Sequence, residues 1–323
     1  MRRALAGIRS ILKFNRWLLF IALPITAIAA AYPVFYRAPA DSSAAGEKII
    51  EERKINYREL MAELQARAEK FPGEAAIVIK DIQTQQEIGI NVARLFPSAS
   101  LVKVPIMAAV YQAQEEGKLR LEDHIILKKK HKVRDCSRLY NMRPGRKVVI
   151  RDIIERMITE SDNTATNMLV DALGFGYLNQ KFIEFGLKQT DLRRGVMDLK
   201  WRKAGIENYT TAADMALLLE KIYNGELVSH AASAEMLEVL KRQKVNDRIP
   251  RLLPDGLVIA HKTGLLNDTV SDVGIVFTKE GDFIICVLTA DIKSFLSAKK
   301  FIGSVAACAY DRCYRKPAAT VKM

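Results

Sequence analysis

Strand-like segments stand at both ends of this chain and helical segments fill the middle, an order that few folds accommodate. Ala75 to Lys80 and Glu87 to Val92 read as two strands around a polar turn, and Val273 to Thr278 and Phe283 to Ala290 form a matching pair around Lys279-Glu280-Gly281-Asp282. From about Leu101 to Val245 the spacing becomes helical, in Val104 to Glu116, Ile150 to Ile158, Thr164 to Leu173, Leu178 to Phe185 and Thr211 to Tyr223. Ahead of the first strand, Tyr57, Leu60, Met61, Leu64, Ala68 and Phe71 recur at helical spacing, with Asn56 as the expected N-cap and Pro72-Gly73 as a stop. A last amphipathic stretch, Ser294 to Tyr314, returns to cover one face of the sheet. The pattern predicts a two-lobed α/β fold: an antiparallel sheet flanked by N- and C-terminal helices (residues 56–100 and 246–314), with an inserted all-helical lobe (101–245) and a cleft between the lobes.

Three short words fall in order along this frame: Ser100-Leu101-Val102-Lys103, Ser161-Asp162-Asn163 and Lys262-Thr263-Gly264. S-x-x-K alone is weak, since it recurs at Ser10 to Lys13 and Ser297 to Lys300. The other two words occur once each, and their order around the cleft carries the information. A serine hydroxyl needs a base to become a nucleophile, and a lysine serves if burial and a second cation lower its pKa. Ser100 precedes a helical run, where backbone N–H groups favour a developing oxyanion, and Lys103 three residues on shares its face. Lys262 is the candidate second cation. It sits on a strand in which Gly264 lets the backbone approach a bound acyl group, while Lys262 and Thr263 face an anion. Ser161 opens a helix, where it is either a proton relay or an ordinary cap, and Asn163 is placed to contact a substrate amide.

The first forty residues carry six basic side chains and no acid, and five of the six precede an apolar run from Trp17 to Tyr36. Residues 1–36 read as a cytoplasmic basic segment followed by a membrane anchor, with signal-peptide cleavage near Ala27 to Ala31 as the alternative. Residues 37–55 read as a tether, and 315–323 as a tail. The chain beyond Arg37 is expected on the extracytoplasmic side. Net charge is +13, but without those six residues 44 basic groups face 37 acids, a charge of +7, so nucleic acid is not an expected partner. The dense basic stretch from Lys128 to Lys147 has Asp135 as its single acid, and it is read either as a solvated loop or as an attractor of anionic envelope polymers or lipid headgroups. Cys308 and Cys313 lie five apart in a helix and are not expected to bond, and the four histidines show no metal-ligand spacing. No cofactor is implied, and a monomer is expected.

The stretches Phe96 to Lys103 and Met157 to Ala165 resemble the penicillin-recognising serine enzymes, class A β-lactamases specifically, over roughly residues 56–314. The resemblance implies a β-lactamase/transpeptidase-like fold and an acyl-enzyme on Ser100, formed from a β-lactam or a peptidoglycan peptide. It implies Lys103 as proton partner, Ser161 as shuttle, Asn163 as substrate contact, Lys262 and Thr263 as carboxylate anchor beside Gly264, and the N–H groups of Ser100 and Leu265 as the oxyanion hole. Class A enzymes also carry a Glu-x-x-x-Asn word whose glutamate activates the deacylating water, and this chain lacks it. The only carboxylate in the corresponding stretch is Asp198, which either reaches that water or pairs with Arg193, Arg194 or Arg202; Glu207 is the lesser candidate. The arginine that many members carry after the Lys-Thr-Gly strand is replaced by Ser271-Asp272-Val273-Gly274. A hydrolase, a D,D-peptidase-like enzyme and a penicillin-binding receptor without turnover all remain open on these residues.

Overall fold

The computed structural model describes residues 44–134 and 137–315, so the apolar run at 17–36 and the tail from 316 lie outside the described residues. Helix α1 (Ala44–Lys70) leads into strands β1 (Glu74–Asp81), β2 (Glu87–Ile90) and β3 (Phe96–Pro97). A 3-10 turn (Ala99–Val102) opens α2 (Lys103–Glu115), followed by β4 (His124–Ile126), α3 (Arg138–Asn141) and β5 (Lys147–Val149). Next come α4 (Ile150–Thr159), α5 (Asn163–Leu173), α6 (Phe175–Glu184), α7 (Leu199–Lys203) and β6 (Tyr209–Thr210). The chain closes with α8 (Ala212–Tyr223), α9 (His230–Lys241), a 3-10 turn (Ile249–Leu252), β7 (Val258–Leu266), β8 (Thr269–Phe277), β9 (Phe283–Ala290) and α10 (Phe295–Cys313).

Five strands pair antiparallel in the order β2-β1-β9-β8-β7, which makes both chain ends partners in one sheet and leaves β7 at its edge. Successive strand residues face opposite sides. Phe283, Ile285 and Val287 of β9 therefore pack with α1 and α10 through Leu60, Leu64, Ile302 and Val305. Ile284, Cys286 and Leu288 pack into the helical lobe with Val104, Met107, Leu218 and Met236. Every residue of β9 is buried, as a central strand covered on both faces requires. The cysteines Cys286, Cys308 and Cys313 are buried.

Three expectations change. Helix α1 begins at Ala44, so Asn56 is helix interior rather than an N-cap, and the backbone expected as tether is helical from residue 44. The segment Glu47 to Arg53 is rich in Glu, Lys and Ile and free of proline, and that propensity extends the helix without an apolar stripe. The inserted lobe is not all-helical, because β4 pairs with β5 and β3 with β6. Helices α3, α7 and α9 were not anticipated; the first two are four and five residues long, too short for a periodic signal. Among the described residues, no helix is long and apolar enough to cross a membrane.

Ile285 is fully buried at the centre of the sheet, opposite Ile79 and Gly274. Truncation by Ile285→Ala is expected to destabilise the fold by about 3–4 kcal/mol, read from urea unfolding curves.

Candidate active site

The site assembles where the edge strand β7 meets the 3-10 turn that carries Ser100. Gly264 makes that approach possible. A methyl group in its place would lie 3.3 Å from both Ala99 Cβ and Leu101 Cγ, and 3.4 Å from Ser271 Cβ. The glycine thus accommodates the nucleophile's own turn, beyond the role expected from sequence. Ala99 holds a left-handed backbone, φ 47°, immediately before Ser100, which is half-buried as the second residue of the turn.

Lys103, the first residue of α2, and Lys262, in β7, are both fully buried and converge on Ser161. Lys103 Nζ donates to the Ser161 carbonyl oxygen (2.6 Å), to Ser161 Oγ (3.2 Å) and to Asn163 Oδ1 (2.8 Å). Lys262 Nζ donates to the same Ser161 Oγ (3.0 Å) and to the Thr263 carbonyl (2.9 Å). A hydroxyl that accepts from two amines keeps its own proton free to donate. Burial pushes the Lys262 ammonium well below its ordinary pKa, the Lys103 charge and then Arg248 push it further, and Asp272 opposes them.

Ser161 does not cap the following helix. It adopts a left-handed backbone, φ 57°, between α4 and α5, and Asp162 takes the cap, its Oδ1 accepting from the Ala165 N–H at 2.9 Å. The division of labour explains the Ser-Asp-Asn order: Asp162 fixes the helix, which frees Ser161 and Asn163 to face the lysines.

Asp198 is the N-cap of α7, accepting from the Trp201 N–H at 3.3 Å. Of the two alternatives for this residue, the ion pair with Arg193, Arg194 or Arg202 does not form among the described residues. Arg193 pairs with Asp191, Arg194 with Glu207, and Arg202 with Glu207 and Asp268. Glu207 is buried and accepts from Arg194 Nε (3.0 Å), Arg202 Nε (2.8 Å) and the Asn208 N–H (2.7 Å), so it locks the 191–208 loop and is not available to activate water. Asn208 continues the lock, since its Oδ1 accepts from the N–H groups of Arg193 (2.7 Å) and Arg194 (2.9 Å) and its carbonyl accepts from the Ser98 N–H (2.7 Å).

Two residues escaped the sequence reading. A methyl group on Gly195 would lie 3.9 Å from Asn167 Oδ1 and 4.0 Å from Asp198 Cβ, so Asn167 and Asp198 both flank Gly195. Asn167 lies one turn beyond Asn163 on α5, and that i,i+4 spacing was the available signal. Arg248 is 2 % exposed and close enough to Lys262 to depress its pKa. Its Nη1 donates to Asp247 at 2.8 Å, while its Nε is buried without a partner among the described residues. No local pattern marks it, because packing of its turn on α10 buries it: a methyl group on Gly303 would lie 3.1 Å from the Arg248 carbonyl. Asp272, opposite Thr263 in the β7–β8 register, accepts from the Ile249 N–H at 3.1 Å and bonds His261 Nδ1 at 3.0 Å. In the Ser271-Asp272-Val273-Gly274 stretch that replaces the arginine, a buried carboxylate stands on the strand, and the nearby cation comes from the preceding turn.

This two-lobed fold, with a serine turn, two buried lysines and a Ser-Asp-Asn turn around one cleft, defines a serine acyl-transfer architecture. Residues 59–313 match the family model described as the Beta-lactamase enzyme family, and the chain belongs to that family. The extended-spectrum β-lactamase PER-1 of Pseudomonas aeruginosa is 23% identical over 235 residues, 68% of this chain and 76% of that protein. A β-lactamase structure from Sphaerobacter thermophilus is 29% identical with a TM-score of 0.74, covering 80% of this chain and 98% of its own. A variant of PBP-A, solved as its acyl-enzyme complex with penicillin G, is 28% identical with a TM-score of 0.74, covering 79% and 96%.

Replacing Lys262 by methionine removes a buried cation from beside another, and Lys262→Met is expected to melt about 3 °C above the wild type at pH 7. A lysine with a depressed folded pKa costs stability fully below that pKa, and the cost shrinks as pH rises toward the ordinary value of 10.5. The difference in melting temperature between variant and wild type is therefore expected to narrow between pH 7 and pH 10, measured by parallel thermal melts.

Proposed function

We propose that this protein is a serine hydrolase of the class A β-lactamase type that opens a β-lactam amide through an acyl-enzyme on Ser100. The observation that carries the reading is the convergence of Lys103 and Lys262 on Ser161 Oγ. In the proposed step Lys103 acts in its neutral amine form: Ser100 Oγ attacks the lactam carbonyl and gives its proton to the Lys103 Nζ lone pair. Ser161 passes its own proton to the departing lactam nitrogen and is reprotonated from the lysine pair. The N–H groups of Ser100 and Leu265 receive the oxyanion. Lys262 and Thr263, beside Gly264 and with Arg248 behind them, hold the substrate carboxylate, and Asn163 donates to the acyl amide. Asp198, which flanks Gly195 together with Asn167, is the proposed base for deacylation. We further infer an extracytoplasmic catalytic unit, anchored to the cytoplasmic membrane through residues 17–36 and monomeric.

A second reading, a D,D-peptidase-like or penicillin-binding protein with a long-lived acyl-enzyme, is favoured by one observation: Asp198 already spends an oxygen on the α7 cap. Mass spectrometry of the intact protein after mixing with a penicillin and a cephalosporin separates the readings. An adduct that forms and disappears as drug is consumed is expected for the hydrolase; one that persists for hours supports the peptidase or receptor. Ser100→Ala is expected to form no adduct, and an adduct that survives it overturns the assignment of Ser100. With Asp198→Asn, acylation is expected to be retained and turnover lost; unchanged turnover removes Asp198 from the mechanism.

A further inference from the structure

All seven arginines from Arg151 to Arg248 reach a carboxylate. Arg134, Arg138, Arg143 and Arg146 are different: all four are exposed and none forms an ion pair among the described residues, Arg138 acting on Glu160 only from a distance, as one of the charges that hold its carboxyl below the usual range. Lys129 and Lys147, also exposed, join them on the same segment. The other cations of this stretch are committed to holding it. Lys130, His131 and Lys128 grip Asp171 of α5 and hold its carboxyl well below the usual range, while Lys132 donates to the Met142 carbonyl at 2.9 Å and lies over the Tyr140 ring.

The segment is also fastened to the site. The Val133 N–H donates to Thr164 Oγ1 (3.1 Å) and the Leu139 N–H to Asp162 Oδ2 (3.4 Å), on the turn that presents Ser161 and Asn163. Arg134 and Arg138 each adjoin one of these contacts.

We propose that Arg134, Arg138, Arg143 and Arg146 form an exosite for an extended polyanion, a glycan or polyol chain bearing phosphate or carboxylate groups, held alongside the mouth of the cleft. Uncommitted guanidinium groups spaced along one segment suit repeated bidentate anions. A lipid surface fits less well, because interfacial binding couples cations to exposed apolar side chains. Among the described residues between 128 and 147 there is no exposed large hydrophobic group.

The test is a binding titration of the protein with inorganic polyphosphate at several salt concentrations, independent of any acyl chemistry. The logarithm of affinity is expected to fall with the logarithm of salt at a slope of about −0.7 per phosphate contact, about −3 for four. Changing Arg134, Arg138, Arg143 and Arg146 together to glutamine is expected to weaken binding at least tenfold with an unchanged melting temperature. A control removing the same charge elsewhere, from Lys188, Arg251, Lys293 and Lys300, is expected to weaken it less than threefold. Equal losses in both variants reduce the effect to net charge and overturn the exosite. Absent polyphosphate binding, or binding only to phosphatidylglycerol vesicles, overturns it as well.

Discussion

Two lysine side chains buried against one serine hydroxyl form the contact on which this molecule is organised. Neither ammonium would choose that place: each loses its hydration, and each raises the free energy of the other. The arrangement persists because three elements from distant parts of the sequence are held rigidly around it, α2 with Lys103, the α4–α5 turn with Ser161 and β7 with Lys262. Burial and the neighbouring ammonium hold Lys262 well below its ordinary pKa, so it gives up its proton more readily than a lysine in water does.

The loop of residues 191–208 shows how a fold of this family can keep its architecture while changing its carboxylates. Glu207 binds two arginines and a backbone amide, so it serves as the loop's internal post. Asp198 caps the five-residue helix α7. The tie from Arg202 to Asp268 joins this loop to the β7–β8 hairpin by charge.

Much of this was legible in the sequence, for identifiable reasons. Long periodic elements such as α2, α5 and β9 declare themselves by spacing, and the three motifs contain residues that the fold brings together, Lys103, Ser161, Asn163 and Lys262. Arg248 was not legible, since its place behind Lys262 arises from burial created by other segments, whereas Asn167 carried a signal in its i,i+4 spacing from Asn163. For Asp198 adjacency in sequence left two alternatives open, and the ion pair drops out because Asp191, Glu207 and Asp268 take the arginines. The helical start of α1 at Ala44 was missed because its first turns carry propensity without an apolar stripe.

The sheet order has a consequence for how the molecule comes into being. Ile77 of β1 lies opposite Val287 of β9, so the first long strand finds its central partner only when nearly the whole chain exists. Contacts of such long sequence separation slow folding, and until they form β1 presents an unpaired edge. During synthesis this chain is consequently a poor early folder, dependent on its last strand and helix for a closed core. That lag is a liability where the chain is crowded and an advantage wherever it must be threaded before it folds.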